Sequence, residues 1–150
     1  MVDLDQINQN ILHELESDAR ISNIDLADRV GLSPSACLRR VQELERSGVI
    51  QGYRAIINPA VRGAEITVFV LVGLSEHLKK DAETFERAME RSPMVRECHN
   101  VTGAVEYLLR VEVPDLGAYK SFHADVLGTQ TQVHSITSYI CLASPKDERA

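Results

Sequence analysis

No apolar run in this 150-residue chain approaches the length of a membrane span. The longest, Val68 to Leu74, falls far short of the roughly 20 residues that a bilayer helix needs, so no membrane partner is expected. The opening residues, Met1-Val2-Asp3-Leu4-Asp5, lack the basic and apolar stretches of a secretory signal, and a cytoplasmic location is the expectation. Cysteine is scarce. Cys37, Cys98 and Cys141 are odd in number and far apart, which suits thiols in a reducing compartment better than a disulfide framework, and no redox motif is present. Positive charge is in deficit too: 16 Lys and Arg face 22 Asp and Glu, a net of −6 that argues at first sight against a polyanionic partner. What the chain does have is a 44% hydrophobic fraction, enough for a buried core and too much for disorder.

The distribution of charge matters more than its sum. Up to residue 30, Arg20 and Arg29 face Asp3, Asp5, Glu14, Glu16, Asp18, Asp25 and Asp28. Between residues 31 and 54 the balance reverses, with Arg39, Arg40, Arg46 and Arg54 outnumbering Glu43 and Glu45. At physiological salt the Debye length is about 8 Å, so a ligand at this patch is largely screened from acids on the far side.

The pattern changes near Asn58-Pro59, from short helical segments to strands alternating with helices, and two domains are expected, at 1–60 and 64–144. The link from Asn58 to Gly63 is too brief for a free tether and reads as the continuation of a packed strand. In the first domain Leu4, Ile7, Ile11, Leu12 and Leu15 stripe a helix with Asp3 placed as its cap, ending near Ser17. Ser22 or Asn23 starts a second helix with Leu26, Ala27 and Val30 inward, and Gly31 stops it. Ser33-Pro34 starts a third, which runs to Ser47 and is closed by Gly48. On this third helix Cys37, Leu38, Val41 and Leu44 gather on one side, and Ser35, Arg39, Gln42, Glu43 and Arg46 on the other. Two helices joined by a tight turn, the second with an arginine-bearing outer face, make a helix-turn-helix over about 22–41 that fits a DNA major groove. Small residues at its start, Ser33 to Ala36, allow close approach, and free amides there favour a phosphate oxygen. Val49 to Ile57 then reads as strand, turn at Gly52, strand: a wing with Tyr53 and Arg54 beside its turn.

In the second domain the order is strand (Ile66 to Leu74), helix (Lys79 to Arg91, apolar at Ala82, Phe85, Ala88 and Met89) and strand (Met94 to Thr102). It then repeats as strand (Tyr107 to Val113), a helix striped by Leu116, Tyr119, Phe122, His123 and Val126, and strand (Val133 to Leu142). The fold class is therefore α+β: an N-terminal winged helix-turn-helix followed by a ferredoxin-like βαββαβ sandwich with both helices on one face of an antiparallel sheet. The other face is left uncovered. Thr67, Phe69 and Leu71 or their alternates, with Tyr139 and Cys141, would leave apolar side chains in water, and a dimer through these sheets is expected. Two reading helices related by a two-fold axis would bind a palindromic operator in double-stranded DNA.

Several linked segments keep a recognisable order and spacing: Asp18-Ala19-Arg20-Ile21-Ser22, Leu26 to Ser35, Arg40-Val41, Leu44-Glu45, Gly48 to Tyr53 and Asn58-Pro59. Together they resemble the Lrp/AsnC, or feast/famine, family of bacterial and archaeal transcriptional regulators, along nearly the whole chain. The resemblance implies an N-terminal winged helix-turn-helix that reads DNA and a C-terminal domain that binds an effector and assembles homo-oligomers of even number, up to an octamer. Carried over by position, Ser33 and Ser35 would contact phosphate or base edges, Arg39 a base edge or phosphate, and Arg40 would clamp a phosphate. Arg46, Tyr53 and Arg54 complete the DNA-facing set.

The family's effector, most often an amino acid, binds near the turn between the second and third strands, where glycine, two variable residues and aspartate are usual. Here the stretch is Thr102-Gly103-Ala104-Val105-Glu106. Glycine allows close approach, Thr102 and nearby amides could hold a carboxylate, and the acid could hold an ammonium group. Glu106 is a methylene longer than the usual aspartate, and Ala104-Val105 replaces a commonly larger or more polar pair. By position His99, Leu116, Tyr139, Ile140 and Cys141 would border the same pocket. The alternative is that Gly103 merely makes a hairpin and Glu106 faces solvent.

Two other classes fit parts of the sequence. An enzyme using Cys98 and His99 is disfavoured because neighbours on a strand point to opposite faces. No Cys/His spacing suits zinc, and no catalytic residue, metal or cofactor is expected; His13, His77, His123 and His134 read as surface or packing residues. A protein-interaction module, with Glu43 and Glu45 toward the partner, is the other alternative.

Overall fold

The computed structural model describes residues 4–75 and 78–147. The chain divides into two compact units, Met1–Ala55 and Ile56–Ala150.

In the first unit, helix α1 (Gln6–Ser17) starts at Asp5, whose carboxylate accepts the Asn8 amide at 2.8 Å. The cap is thus Asp5 rather than the expected Asp3, which lies outside the described residues. Asp5 has the extended backbone (ψ 168°) that a capping residue needs to turn its side chain back on the first turn. Helix α2 (Asn23–Val30) is capped by Ser22 and ended by Gly31 at φ 72°, in the left-handed region that glycine enters without a Cβ clash. Helix α3 (Pro34–Arg46) begins at Ser33, with Pro34 in its first turn, and ends on Ser47. The bundle closes on Ile11, Leu26, Ala27, Cys37 and Leu44, each at most 2% exposed, with Val41 and Ile50 packed against them. Burying each large aliphatic side chain here contributes about 1.5–3 kcal/mol.

Two further expectations for this unit fail. Leu38, assigned to the packing face, is 46% exposed. At 100° per residue it sits about 100° from the direction shared by Cys37 and Leu44, so it falls on the flank of the helix. The hairpin over Val49 to Ile57 is also absent as a ladder among the described residues: residues 51–58 run without strand pairing or turn, and every one is exposed. Gly52 (φ 154°) does not reverse the chain, so the second arm never returns to pair with the first. The link that follows does not continue a packed strand either. Asn58 caps a short 3₁₀ turn, Pro59–Arg62, with no buried residue.

The second unit consists of β1 (Ile66–Leu74), α4 (Lys79–Arg91), β2 (Val95–Asn100), β3 (Tyr107–Val113), α5 (Leu116–Phe122) and β4 (Val133–Ile140). The strand order is β2-β3-β1-β4 with every neighbouring pair antiparallel, as a βαββαβ sandwich requires. Alternation decides the faces. Val68, Val70 and Val72 of β1 and Tyr107, Leu109, Val111 and Val113 of β3 are buried, and Phe85 and Met89 of α4 and Phe122 of α5 join them in one core. Beyond Phe122 the helix loosens into a π-type turn, His123–Leu127, that buries Leu127 and leaves His123 exposed. The expected stripe is corrected accordingly, since the wider turn shifts the phase and Leu116, at the helix start, is 54% exposed. Gly73 is needed where β1 meets β4: a Cβ there would lie 2.3 Å from Ser135 Oγ.

The opposite sheet face carries Phe69 and Leu71 from β1, Leu108 from β3 and Tyr139, 57% exposed, from β4. Its β2 side is charged. Arg110 Nε donates to Glu97 Oε1 at 3.0 Å, Arg110 also bonds Glu112, and Arg96 lies 3.5 Å from Glu112.

Candidate nucleic-acid interface and ligand cavity

The outer face of α3 is set by what its other face must bury. With Cys37 and Leu44 fully sealed, Ser35, Arg39, Gln42 and Arg46 are turned outward and exposed. Pro34 has no N–H, and the Ala36 and Cys37 amides go to Ser33 Oγ and the Ser33 carbonyl at 3.3 and 2.9 Å. Ser35's amide is what remains of the first turn for an anion. The Ser33 and Ser35 hydroxyls lie 3.3 Å apart.

The cations on this helix differ in what they already hold. Arg39 makes no hydrogen bond or ion pair among the described residues. Arg46 is bonded to Glu43, which raises its pKa above the ordinary value. Arg40, expected as a phosphate clamp, gives Nη1 to Asp5 and to Asn8 Oδ1, and so ties α3 to the start of α1. Its first role is to brace the bundle, because it leaves the side of α3 nearer the core and points toward α1. Tyr53 donates its hydroxyl to Glu45 Oε1 at 2.9 Å, and burial, then that carboxylate, pushes its pKa up. Arg54 lies in the extended run and is exposed. Leu38 on the flank of α3 and Gln42 on its outer face are also exposed beside Arg39.

A cavity of about 320 Å³ opens beside the β2–β3 turn. Of the ten residues expected at an effector site, Thr102, Gly103, Val105 and Glu106 line it. Ala104 sits in the same turn, exposed and outside the lining. Glu106 does not face solvent: its Oε2 accepts the Leu74 amide at 2.7 Å, and its own amide donates to the Val72 carbonyl at 3.1 Å. The carboxylate satisfies an amide at the end of β1, beyond the last β1–β3 pair, Val72 with Tyr107. Leu74, Leu78, Lys79 and Ala82 supply the rest of the wall, and nothing local in the sequence links them to the turn.

The other expected residues do not converge there within one chain. His99 is on β2 with Nε2 3.3 Å from Glu97, and Tyr139 and Ile140 are on β4, at the opposite edge of the sheet. Three inter-strand spacings, roughly 14 Å, separate those edges. Cys141 lies beside Thr67 and Leu116 just past Val113, both toward the end of the sheet away from the turn.

Cys98 and His99 fall on opposite sheet faces, since Cys98 pairs with buried Leu109 and His99 with Leu108. Burial, then Glu86 and Glu90, pushes the Cys98 thiol up to about 11. Tyr107 donates its hydroxyl to Glu86 at 2.7 Å and is pushed up to about 12, chiefly by burial. A thiol held this way is a weak nucleophile at neutral pH. Among the described residues, which exclude His77, no helix is long and apolar enough to cross a membrane.

Comparison with known proteins covers both units. Residues 4–51 match the winged helix-turn-helix DNA-binding family, and residues 67–150 match the Lrp/AsnC ligand binding domain. The leucine-responsive regulatory protein of Escherichia coli K12 is 42% identical over 144 residues, 96% of this chain and 88% of that protein. Among solved structures, a transcriptional regulator of Neisseria meningitidis in complex with L-methionine superposes with a TM-score of 0.92 at 32% identity, covering 97% of this chain and 94% of the other. An AsnC family transcriptional regulator from Agrobacterium tumefaciens gives 0.89 at 32% identity, covering 95% and 93%.

Proposed function

The chain belongs to the Lrp/AsnC family, as a DNA-binding transcriptional regulator with an amino-acid-binding domain, and on that premise we propose that it binds palindromic operators as a homo-oligomer and answers to an amino acid. The observation that carries the reading is the division of α3: a face sealed in its own bundle and an outer face on which Arg39 has no partner among the described residues. Arg39 reads a base edge, Ser33 and Ser35 approach the phosphates, and Arg46, Tyr53 and Arg54 lie to the side toward the backbone. A cytoplasmic location goes with this reading.

Assembly rests on the open sheet face. Phe69, Leu71, Leu108 and Tyr139 form an apolar patch that a second copy would cover, and even-numbered assemblies up to an octamer can build on that dimer. The effector occupies the cavity beside Thr102 to Glu106, whose apolar wall from Leu74, Leu78, Ala82 and Val105 suits an aliphatic or thioether side chain. A structural relative is solved with L-methionine, which fits that description. An effector changes operator affinity only if it binds two assembly states unequally.

The test is selection from random duplex DNA with purified protein, with and without an amino-acid pool. A two-fold symmetric site whose affinity changes with one amino acid is the expected result. Retention of no sequence over random competitor would overturn the operator reading. A symmetric site indifferent to every amino acid would overturn only the effector reading.

A further inference from the structure

The outer face of α3 offers more than its arginines. Leu38 is 46% exposed, and Gln42, four residues on, is exposed with no hydrogen bond among the described residues. An exposed leucine alone means little. Its surroundings give it weight, because the neighbouring charged groups on this helix are engaged within the chain: Arg46 with Glu43, Glu45 with Tyr53 and Arg40 with Asp5. That leaves Arg39, Leu38 and Gln42, together with Ser33 and Ser35 at the helix start, as the groups that offer unspent chemistry outward.

We propose that Leu38 and Gln42 form a second reading stripe beside Arg39, one that selects A·T pairs in each half-site. The inference rests on the DNA-reading function of α3. Residues at i and i+4 share a helix face and lie about 6 Å apart along the axis, close to two base-pair steps of about 3.4 Å. In the major groove a glutamine amide matches the N6 donor and N7 acceptor of adenine, and an apolar side chain matches the C5-methyl of thymine. Arg39, on the other flank, matches the O6 and N7 acceptors of guanine. The three side chains thus ask for different base edges, and Leu38 contributes a preference that no charge on the helix supplies.

The test uses the full-length protein and the operator selected above, with each thymine replaced in turn by deoxyuridine, which removes only the C5-methyl. At one thymine per half-site the wild-type protein loses about fourfold in affinity, the equivalent of one buried methyl. Leu38→Ala loses nothing further on the same substitution, while its salt dependence stays that of the wild type. Replacing one adenine by 7-deazaadenine costs the wild type roughly fivefold or more and leaves Gln42→Ala unaffected. Wild-type protein that binds the selected operator yet is indifferent to every deoxyuridine and 7-deazaadenine overturns the stripe and leaves the DNA-reading function standing. Because those substitutions are in the DNA, the wild-type result does not depend on how well either variant folds. Failure to retain any duplex removes the premise and the proposal together.

Discussion

Arg40 reaches from α3 to both carboxylate oxygens of Asp5, at 3.0 and 2.8 Å, and to the side-chain oxygen of Asn8 at 3.0 Å. The residue that caps α1 is therefore the residue that orients the reading helix. Replacing Arg40 by Gln lowers the melting temperature and weakens operator binding by misplacing α3. It leaves the slope of log affinity against log salt unchanged, whereas loss of a phosphate contact reduces that slope by about 0.9. Salt titration of wild type and variant decides between the two.

The same pair predicts an acid response. The Asn8 amide, then Arg40, holds the Asp5 carboxyl below its ordinary 3.8. Its folded pKa is depressed, so its contribution is present in full above the unfolded value and is lost as pH falls through the folded one. Asp5→Asn should flatten the acid limb of the stability curve below about pH 4. Denaturant melts of both proteins from neutral pH downward measure this, and parallel acid limbs would contradict it.

Arg39 and Arg46 should separate cleanly. Arg39→Ala removes a contact worth roughly 1–3 kcal/mol of base discrimination, so operator affinity drops about tenfold or more while binding to random duplex changes little. Arg46→Ala, with Glu43 as its partner, costs less and costs it evenly across sequences. Competition assays with operator and random DNA report both.

On the open sheet face, Tyr139→Asp puts a charge opposite Phe69, its ladder partner. The side chain is exposed in the single chain, so the fold tolerates the change, and sedimentation should show dissociation toward monomers. Unchanged assembly would move the dimer contact to another surface.

Cys98 should resist alkylation. With its thiol pushed up to about 11, the thiolate fraction at pH 8 is on the order of a hundredfold or more below that of a free cysteine of pKa about 8.5. Iodoacetamide labelling followed by mass spectrometry should find Cys98 modified slowly and Cys37, fully buried, only on unfolding. Rapid labelling of Cys98 in the native protein would show that the cover provided by α4 is not maintained.

Much of this architecture is local chemistry and can be read from neighbours in the chain. Ser22, Ser33 and Gly31 announce helix ends because a cap depends on three or four adjacent residues. The bounds of α4 and β3 follow from periodicity in the same way. Choosing Asp5 over Asp3 is harder, since aspartate at either position suits a cap and the pairing that further holds Asp5 comes from Arg40, 35 positions away. The missing hairpin is harder still, because a strand-like composition does not state whether its partner belongs to the same chain. The candidate cavity shows the limit: Thr102 to Glu106 are legible as a turn, but Leu74, Lys79 and Ala82 join them only through the strand order, which also sends Tyr139 to the far edge. Leu38 is ambiguous in the sequence because a residue about 100° from the centre of a buried stripe can belong to either side.

The run over residues 51–58 has no strand partner, and the Tyr53 hydroxyl on Glu45 anchors its start to α3. Fully drawn out, eight residues cover at most about 26–29 Å, comparable with the roughly 34–36 Å between half-sites one helical turn apart. If the chain pairs through its sheets as proposed, shortening this run is expected to narrow the range of operator spacings that are bound, while α3 keeps the same choice of bases.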